Sequence, residues 1–246
     1  KMMKCAVDLH IHSCLSPCAD DDMTPYNIAG MAMLLGLQLL ALTDHNSAKN
    51  CPAFFSACRE YGLVPVPGME LCTAEEIHLI CLFPSLADAM AFDAEVETTL
   101  SPIKNRPEVF GRQWILGEGD TVIGEYDKLL IAASALPLSE AAALCEAYNG
   151  ACFPAHIDRM SNGILGVLGV LPESPRFTTL ELSLAADEKV YAGRPDCAGR
   201  RFLHSSDAHR LDAISEGAHT LRIADTPYSG DRVRRGLIEL LRKGKL

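Results

Sequence analysis

Asp8-Leu9-His10-Ile11-His12 closes an apolar run that begins at Lys4. In an extended chain, side chains two residues apart point to the same face, so His10 and His12 can both reach one metal ion. Eight histidines scattered through 246 residues give that spacing in roughly one chain in four, so the pair alone decides little. Recurrence decides more. Ligand-type residues stand at or just past the ends of five strand-like runs: His10 and His12, Asp44 and His45, Glu70, His156, and Asp207 with His209. Hydrophobic patterning does not place polar groups at the same phase of successive strands, whereas one shared site does. In barrels of parallel strands, the exit edge is where such sites are built.

Outward from these runs, short apolar stretches alternate with longer helical patterns, the rhythm of repeated βα units. The expected strands are Lys4 to Leu9, Gln38 to Leu42, Leu63 to Val66, Glu76 to Phe83, Ala151 to Pro154, Thr179 to Ser183 and Phe202 to Ser205. Helices are expected from Thr24-Pro25 through Leu37, Cys51 to Tyr61, Ser85 to Leu100, Leu138 to Tyr148 and Asp231 to Lys243. Residues 101–130 break the rhythm. There Gly111 to Gly117 and Thr121 to Tyr126 flank Glu118-Gly119-Asp120 as hairpin strands flank a turn. The chain therefore reads as one α/β domain over 1–246 with a small β-hairpin insertion that can act as a lid.

With 48% hydrophobic and 22% charged residues, the chain can bury a sizeable core. No apolar run reaches eighteen residues and no cleavable leader is evident, so the expectation is a cytoplasmic protein without a membrane partner. Most of the ten cysteines lie singly in apolar stretches, which suits reduced thiols better than a disulfide framework. Twenty-two basic against 32 acidic residues give a net charge of −10, which disfavours a broad footprint on nucleic acid without excluding it. Small anionic substrates stay open, because bound divalent ions reverse the local potential.

Taken in order, these motifs resemble the polymerase and histidinol phosphatase (PHP) family of metal-dependent phosphoesterases. The matching stretches are Asp8-Leu-His10-Ile-His12-Ser13, Asp20 four before Thr24-Pro25, Leu42-Thr-Asp44-His45-Asn46, Pro67-Gly-Met-Glu70 with His78, Pro154-Ala-His156 and Ser206-Asp207-Ala-His209. The resemblance implies a distorted TIM-like (β/α)7 barrel whose mouth holds two or three divalent ions of Zn, Mn or Fe. It implies that His10, His12, Glu70 and Asp207 hold one ion, Asp20, His45 and His209 a second, and His78 and His156 with a shared Glu70 a third. Asp20, Asp21 and Asp22 stand in a row, so which of them fills that position is open. The chemistry implied is hydrolysis of a phosphate ester by metal-activated water.

Two stretches depart from the family pattern. Ser13 to Ala19 is longer than the usual link, and Ile157-Asp158-Arg159 replaces the usual Pro after the histidine. Arg159 thus stands near the expected ions, where it is a candidate substrate phosphate clamp; a surface pair with Asp158 or Glu173 is the alternative. Blander readings accompany other residues. His78 between Ile77 and Leu79 also fits a core histidine, and Asp44 better suits orienting an imidazole or capping a turn than binding metal. Cys14 and Cys18 lack a partner pair that would complete a zinc site, which leaves packing or turn roles. His204 and His219 have no role. Arg232, Arg234, Arg235, Arg242, Lys243 and Lys245 read as the solvated face of the last helix.

Three functions follow from these residues. The leading one is a phosphoesterase acting on a small phosphorylated substrate, a nucleotide or a phosphorylated metabolite. The others are an exonuclease trimming short RNA or DNA, and a non-catalytic metal-binding module. The oligomeric state is not legible.

Overall fold

The computed structural model describes residues 1–224 and 228–243, so Lys245 lies outside the described residues. Ten strands and eight helices follow in chain order. They are β1 (Met2–Ile11), α1 (Pro25–Leu34), β2 (Leu39–Leu42), α2 (Cys51–Glu60), β3 (Val64–Cys72), β4 (His78–Leu82), α3 (Leu86–Glu97), α4 (Pro107–Phe110), β5 (Trp114–Leu116), β6 (Val122–Glu125) and α5 (Leu138–Ala147), then β7 (Ala151–Pro154), α6 (Ile164–Leu168), β8 (Thr179–Ser183), α7 (Glu188–Ala192), β9 (Arg201–Ser205), β10 (Thr220–Ala224) and α8 (Gly230–Lys243). Thr24 starts α1 as the sequence suggests: its hydroxyl accepts from the Asn27 amide, and Pro25 needs no acceptor in the first turn.

Six strands form one sheet in the order β10-β1-β2-β3-β4-β7, and β8 and β9 pair separately. The parallel βα pattern expected throughout holds for β1-β2-β3 and for β8-β9. It fails at β3-β4-β7, where both pairings are antiparallel. The cause is a tight reversal: the Thr73 amide donates to the Ile77 carbonyl at 2.9 Å, and Glu76 takes φ +63°. The expected strand from Glu76 thus begins only at His78 and folds back on β3. The sheet curls because the β8-β9 pair reaches toward both of its sides. The Ile157 amide donates to the Glu181 carbonyl past β7, and the His12 amide donates to the Ala208 carbonyl beside β1, each at 2.9 Å.

Two apolar cores result. One lies between the sheet and the surrounding helices and contains Phe54, Phe83 and Phe92. The other fills the inside of the curl with Leu9, Leu39, Val66, Ile80 and Phe153, and α8 closes its lower end through Val233, Leu237, Ile238 and Leu241. Strands β2 and β3 are buried on both faces for this reason and read as continuous apolar runs. The last helix corrects one expectation. Arg234 is buried, its ring of donors reaching the Pro84 and Pro65 carbonyls and Asp231 while its guanidinium lies over Phe55, and Arg242 donates twice to the Gly150 carbonyl. Only part of that basic face is solvated.

In the expected insertion, β5 and β6 pair antiparallel with an irregular register. The segment is stitched to the loop that follows β1: the Trp114 amide donates to the Cys14 carbonyl, and the Asn50 side chain donates to the Trp114 carbonyl and accepts from the Leu116 amide. Among the described residues no disulfide forms. Among the described residues no helix is long and apolar enough to cross a membrane.

Candidate metal centre

His10 and His12 leave β1 on the same face and are fully buried. Their Nε2 atoms lie 3.1 Å apart. Glu70, from the exit half of β3, brings Oε2 to 3.2 Å from His10 Nε2 and 2.9 Å from His12 Nε2. Asp207, just past β9, brings Oδ1 to 3.0 Å from both. Four donor atoms of an ion-binding type thus converge. Ligands about 2.0 to 2.1 Å from a tetrahedral ion stand about 3.3 Å from one another, close to the separations found here.

Two further sets share these residues: His12, His45 and His209, and His45, Glu70 and His78, with the atoms of each set within 4.8 Å of one another. His12 stacks on His209 with ring centres 4.1 Å apart and meets His45 at 4.4 Å. His78 Nδ1 is 2.8 Å from Glu70 Oε1, and His156 Nε2 is 3.1 Å from the same oxygen. Glu70 is therefore the hub of five imidazoles.

Much of this cluster makes no satisfactory hydrogen bond. His45 Nδ1, Glu70 Oε2, His78 Nδ1, His156 Nδ1 and Asp207 Oδ1 are buried polar atoms without such a partner. Buried polar groups are rarely left so, and an ion among them is the ordinary remedy. Imidazole with carboxylate suits Zn, Mn or Fe, so the residues fit the expected ions. Charge tells the same story. Burial opposes protonation of His12 and His78, yet bonds and charge from Asp207 and Glu70 on the first, and chiefly the Glu70 charge on the second, hold them up at about 9 and about 10. Burial and the neighbouring charge of His12 push His209 down to about 4 and His45 well below the usual range. Glu70 is held far below the usual carboxylate value against its burial, by His78, His10 and His45. Protons stand where cations belong.

The supporting groups are equally specific. Glu181 Oε1 takes a hydrogen bond from His10 Nδ1 at 2.8 Å, which leaves His10 Nε2 as the free lone pair, and from the His156 amide at 3.0 Å. Ser16 Oγ, 2.9 Å from His12 Nδ1, donates in turn to Asp44 Oδ1. Asp44 also accepts from the Ser13 amide and hydroxyl, both at 2.7 Å, so it fixes the loop after β1 and bears on His12 through Ser16. Asp8 accepts from the Ser206 and Ser215 amides and holds the segment that carries Asp207. His156 at φ +28° and Asp207 at φ +52° occupy backbone regions that residues other than glycine seldom adopt, strain that surrounding structure must hold.

Set against the sequence, the first set of four comes together as the resemblance implies. The second forms around His45 and His209 with His12 in place of Asp20. The Asp20 side chain is exposed and belongs to none of the three sets, though its amide donates to the His209 carbonyl at 2.9 Å. His78 meets Glu70, while His156 touches Glu70 without joining a set. Arg159 pairs with neither Asp158 nor Glu173: its Nη1 donates to Asp207 Oδ2 at 2.6 Å. Glu181 and Ser16 are supporting residues that the motifs did not single out, and Asp8 stands in the first motif without a role assigned to it. The one signal for Glu181 is an acid in the middle of the apolar run Leu180-Glu181-Leu182.

Comparison with solved structures places the fold. The chain superposes on the lesion-specific endonuclease EndoQ from Pyrococcus furiosus with a TM-score of 0.71 and 20% identity, covering 97% of this chain and 56% of the other. A complex of Endonuclease Q with a 27-mer duplex carrying an abasic lesion gives 0.68 and 20%, over 95% and 56%. This chain thus spans little more than half the length of those enzymes. A protein from Bifidobacterium adolescentis assigned as a metal-dependent phosphoesterase gives 0.55 and 17%, over 82% and 87%. At these identities the likeness is one of fold. A search of curated protein sequences finds no match. The PHP domain model, however, matches residues 8–163, well over half the sequence and including seven of the nine expected ligands. The chain belongs to the PHP domain family.

Proposed function

We propose that this PHP domain is a phosphoesterase that hydrolyses a small phosphorylated substrate at ions held by His10, His12, His45, Glu70, His78, His156, Asp207 and His209. The observation that carries the reading is Glu70, a buried carboxylate shared by five imidazoles with one oxygen lacking a hydrogen-bond partner. Divalent ions bound there supply an acidified water and neutralise charge on a phosphoryl group. Around them, Glu181 sets the tautomer of His10, and the Asp44-Ser16 chain steadies His12. Arg159 keeps one N–H on Asp207 and, with its side chain about half exposed, has others to offer phosphate oxygens. Asp20 is not supported as a ligand by its position and serves better as a rim residue.

The rim favours a small substrate. Exposed Asp20, Asp21 and Asp22 flank it, and the 101–130 segment carries Glu108, Glu118, Asp120, Glu125 and Asp127 against Lys104, Arg106, Arg112 and Lys128. Cations nearby are committed: Lys49 to Asp93 and Glu97, Arg112 to Glu125, Arg210 to Asp212. A polymer backbone finds no continuous basic track there. Phosphate release from a panel of phosphomonoesters and nucleotides by protein loaded with Mn, Zn or Fe tests the reading; turnover of at least one member is expected, and none at all contradicts it.

A second reading, cleavage of nucleic acid, draws on the fold likeness to Endonuclease Q, whose complex holds a lesion-bearing duplex. It requires shortening or nicking of labelled oligonucleotides with a steep loss in salt. Activity confined to mononucleotides and indifferent to salt removes it.

A further inference from the structure

At the entry ends of the strands, away from the metal centre, a group of arginines has no part in the function above. A cavity of about 490 Å³ lies between α5, the start of β7, the approach to β8 and the end of α8, and Ser139, Ser174, Arg176 and Arg242 line it. A second, of about 790 Å³, is lined by Glu173, Arg176, Asp196 and Arg200. Arg176 borders both, so the two cavities adjoin at its side chain and make a grooved face.

The charges in this groove are not balanced locally. Asp196 is taken up by Arg194, which donates to both its oxygens at 3.0 Å, and by the Leu171 amide at 2.9 Å. Arg200 makes no ion pair among the described residues, and its Nε is buried without an acceptor. Burial and the repulsion of Arg176 both lower the Arg200 pKa, so the two guanidinium groups stand close enough to oppose each other. Arg242 is fixed by its two bonds to the Gly150 carbonyl and adds a rigid positive wall. Glu146 and Glu173 sit among the lining residues as exposed carboxylates, which limits the ligand to one with concentrated charge. Two guanidinium forks without an ion pair among the described residues, beside an open cavity, match a tetrahedral dianion better than a single carboxylate.

We propose that this groove is an anion site for a compact phosphate-bearing ligand, with Arg176 and Arg200 as its clamps. The site is separate from the metal centre. His156 and Asp207 lie past the far ends of β7 and β9, whereas Cys152 and Arg200 lie at or just before their starts. The ligand is bound there and not hydrolysed, and the proposal stands whatever the substrate at the mouth.

The test is calorimetric titration of metal-stripped protein with inorganic pyrophosphate. Wild type and an Arg112→Ser control, a surface arginine paired with Glu125, are expected to bind alike, and Arg176→Ser and Arg200→Ser each to bind about tenfold or more weakly, with circular dichroism confirming that the variants are folded. An ADP arm separates the sources: tighter binding of ADP points to a nucleoside phosphate, the reverse order to the free inorganic anion, and either keeps the site. Equal affinity in wild type and both groove variants overturns it. So does a short oligonucleotide that binds more tightly than pyrophosphate or ADP.

Discussion

The exit and entry ends of the same strands are held together by different means. At the exit end, His10, His12, His45, Glu70, His156 and Asp207 are packed into one buried or nearly buried cluster with orphaned polar atoms and positive φ angles at two of its residues. At the entry end, Val233, Leu237, Ile238 and Leu241 of α8 seal the curl against Cys5, Leu221 and Val64 in ordinary apolar packing. Hydrocarbon burial stabilises by about 25 cal/mol per Å², whereas a half-satisfied polar cluster opposes folding until its charges are met. The contrast teaches that the apolar end supplies the stability that lets the polar end stay strained and ready for ions.

The harshest way to break this contrast is at the hub. Glu70→Ala removes the carboxylate shared by five imidazoles and is expected to lower hydrolysis by about 10³-fold or more and to strip bound metal. Retained activity, measured as phosphate release at saturating metal, contradicts the assignment. Glu181→Gln acts one step out, on the orientation of His10, and should weaken metal affinity or activity by about 10 to 100-fold while the fold persists. If competition with a metal indicator shows unchanged affinity, Glu181 is structural only.

At the opposite end, Arg234→Leu keeps an apolar side chain but deletes the guanidinium that lies over Phe55 and donates to the Pro65 and Pro84 carbonyls. It is expected to cost about 1 to 3 kcal/mol in urea unfolding without changing the metal content. Loss of metal with unchanged stability reverses the roles given to the two ends.

A smaller effect follows from protons. His12 and His78, held at about 9 and about 10 against the usual 6.5, stabilise the metal-free fold fully below pH 6.5, and that contribution is lost as pH rises through 9 to 10. His209, at about 4, works the other way: its contribution is present above pH 6.5 and lost as pH falls to 4. In chelator, the melting temperature should therefore peak between these windows. Metal affinity should climb from neutral pH upward, because the ion displaces those protons. A melting curve insensitive to pH on both sides speaks against this electrostatic picture.

How much of this was legible in the chain depended on whether chemistry or topology set the pattern. The candidate ligands stood out because polar residues at strand ends have no packing reason to recur, and the short apolar runs that became β1, β2 and β7 announced themselves. The β3-β4 reversal did not, because the strand expected to stop at Val66 runs on to Cys72, which leaves only Thr73 to Ile77 as the link, too short for a βα crossover and suited to a hairpin. The short helices α4, α6 and α7 also went unseen, being too brief for periodicity to register, and β10 was missed although it is as long as β8 and β9. Glu181 was hidden because one acid in an apolar strand carries no spacing. Asp20 was drawn in by its offset from Thr24, whereas the longer loop from Ser13 to Ala19 carries its side chain to the surface. The arginines of α8 looked like one solvated face because helical periodicity shows which residues share a side, not that Phe55 and two carbonyls wait beneath Arg234.

The central claim is that the exit end is a metal centre organised by Glu70. Inductively coupled plasma analysis of protein loaded with Mn, Zn or Fe and freed of excess metal tests it directly. The account predicts two to three equivalents in the wild type and a loss of at least one in folded Glu70→Ala. Less than one equivalent in the wild type, or an unchanged count in the variant, contradicts it.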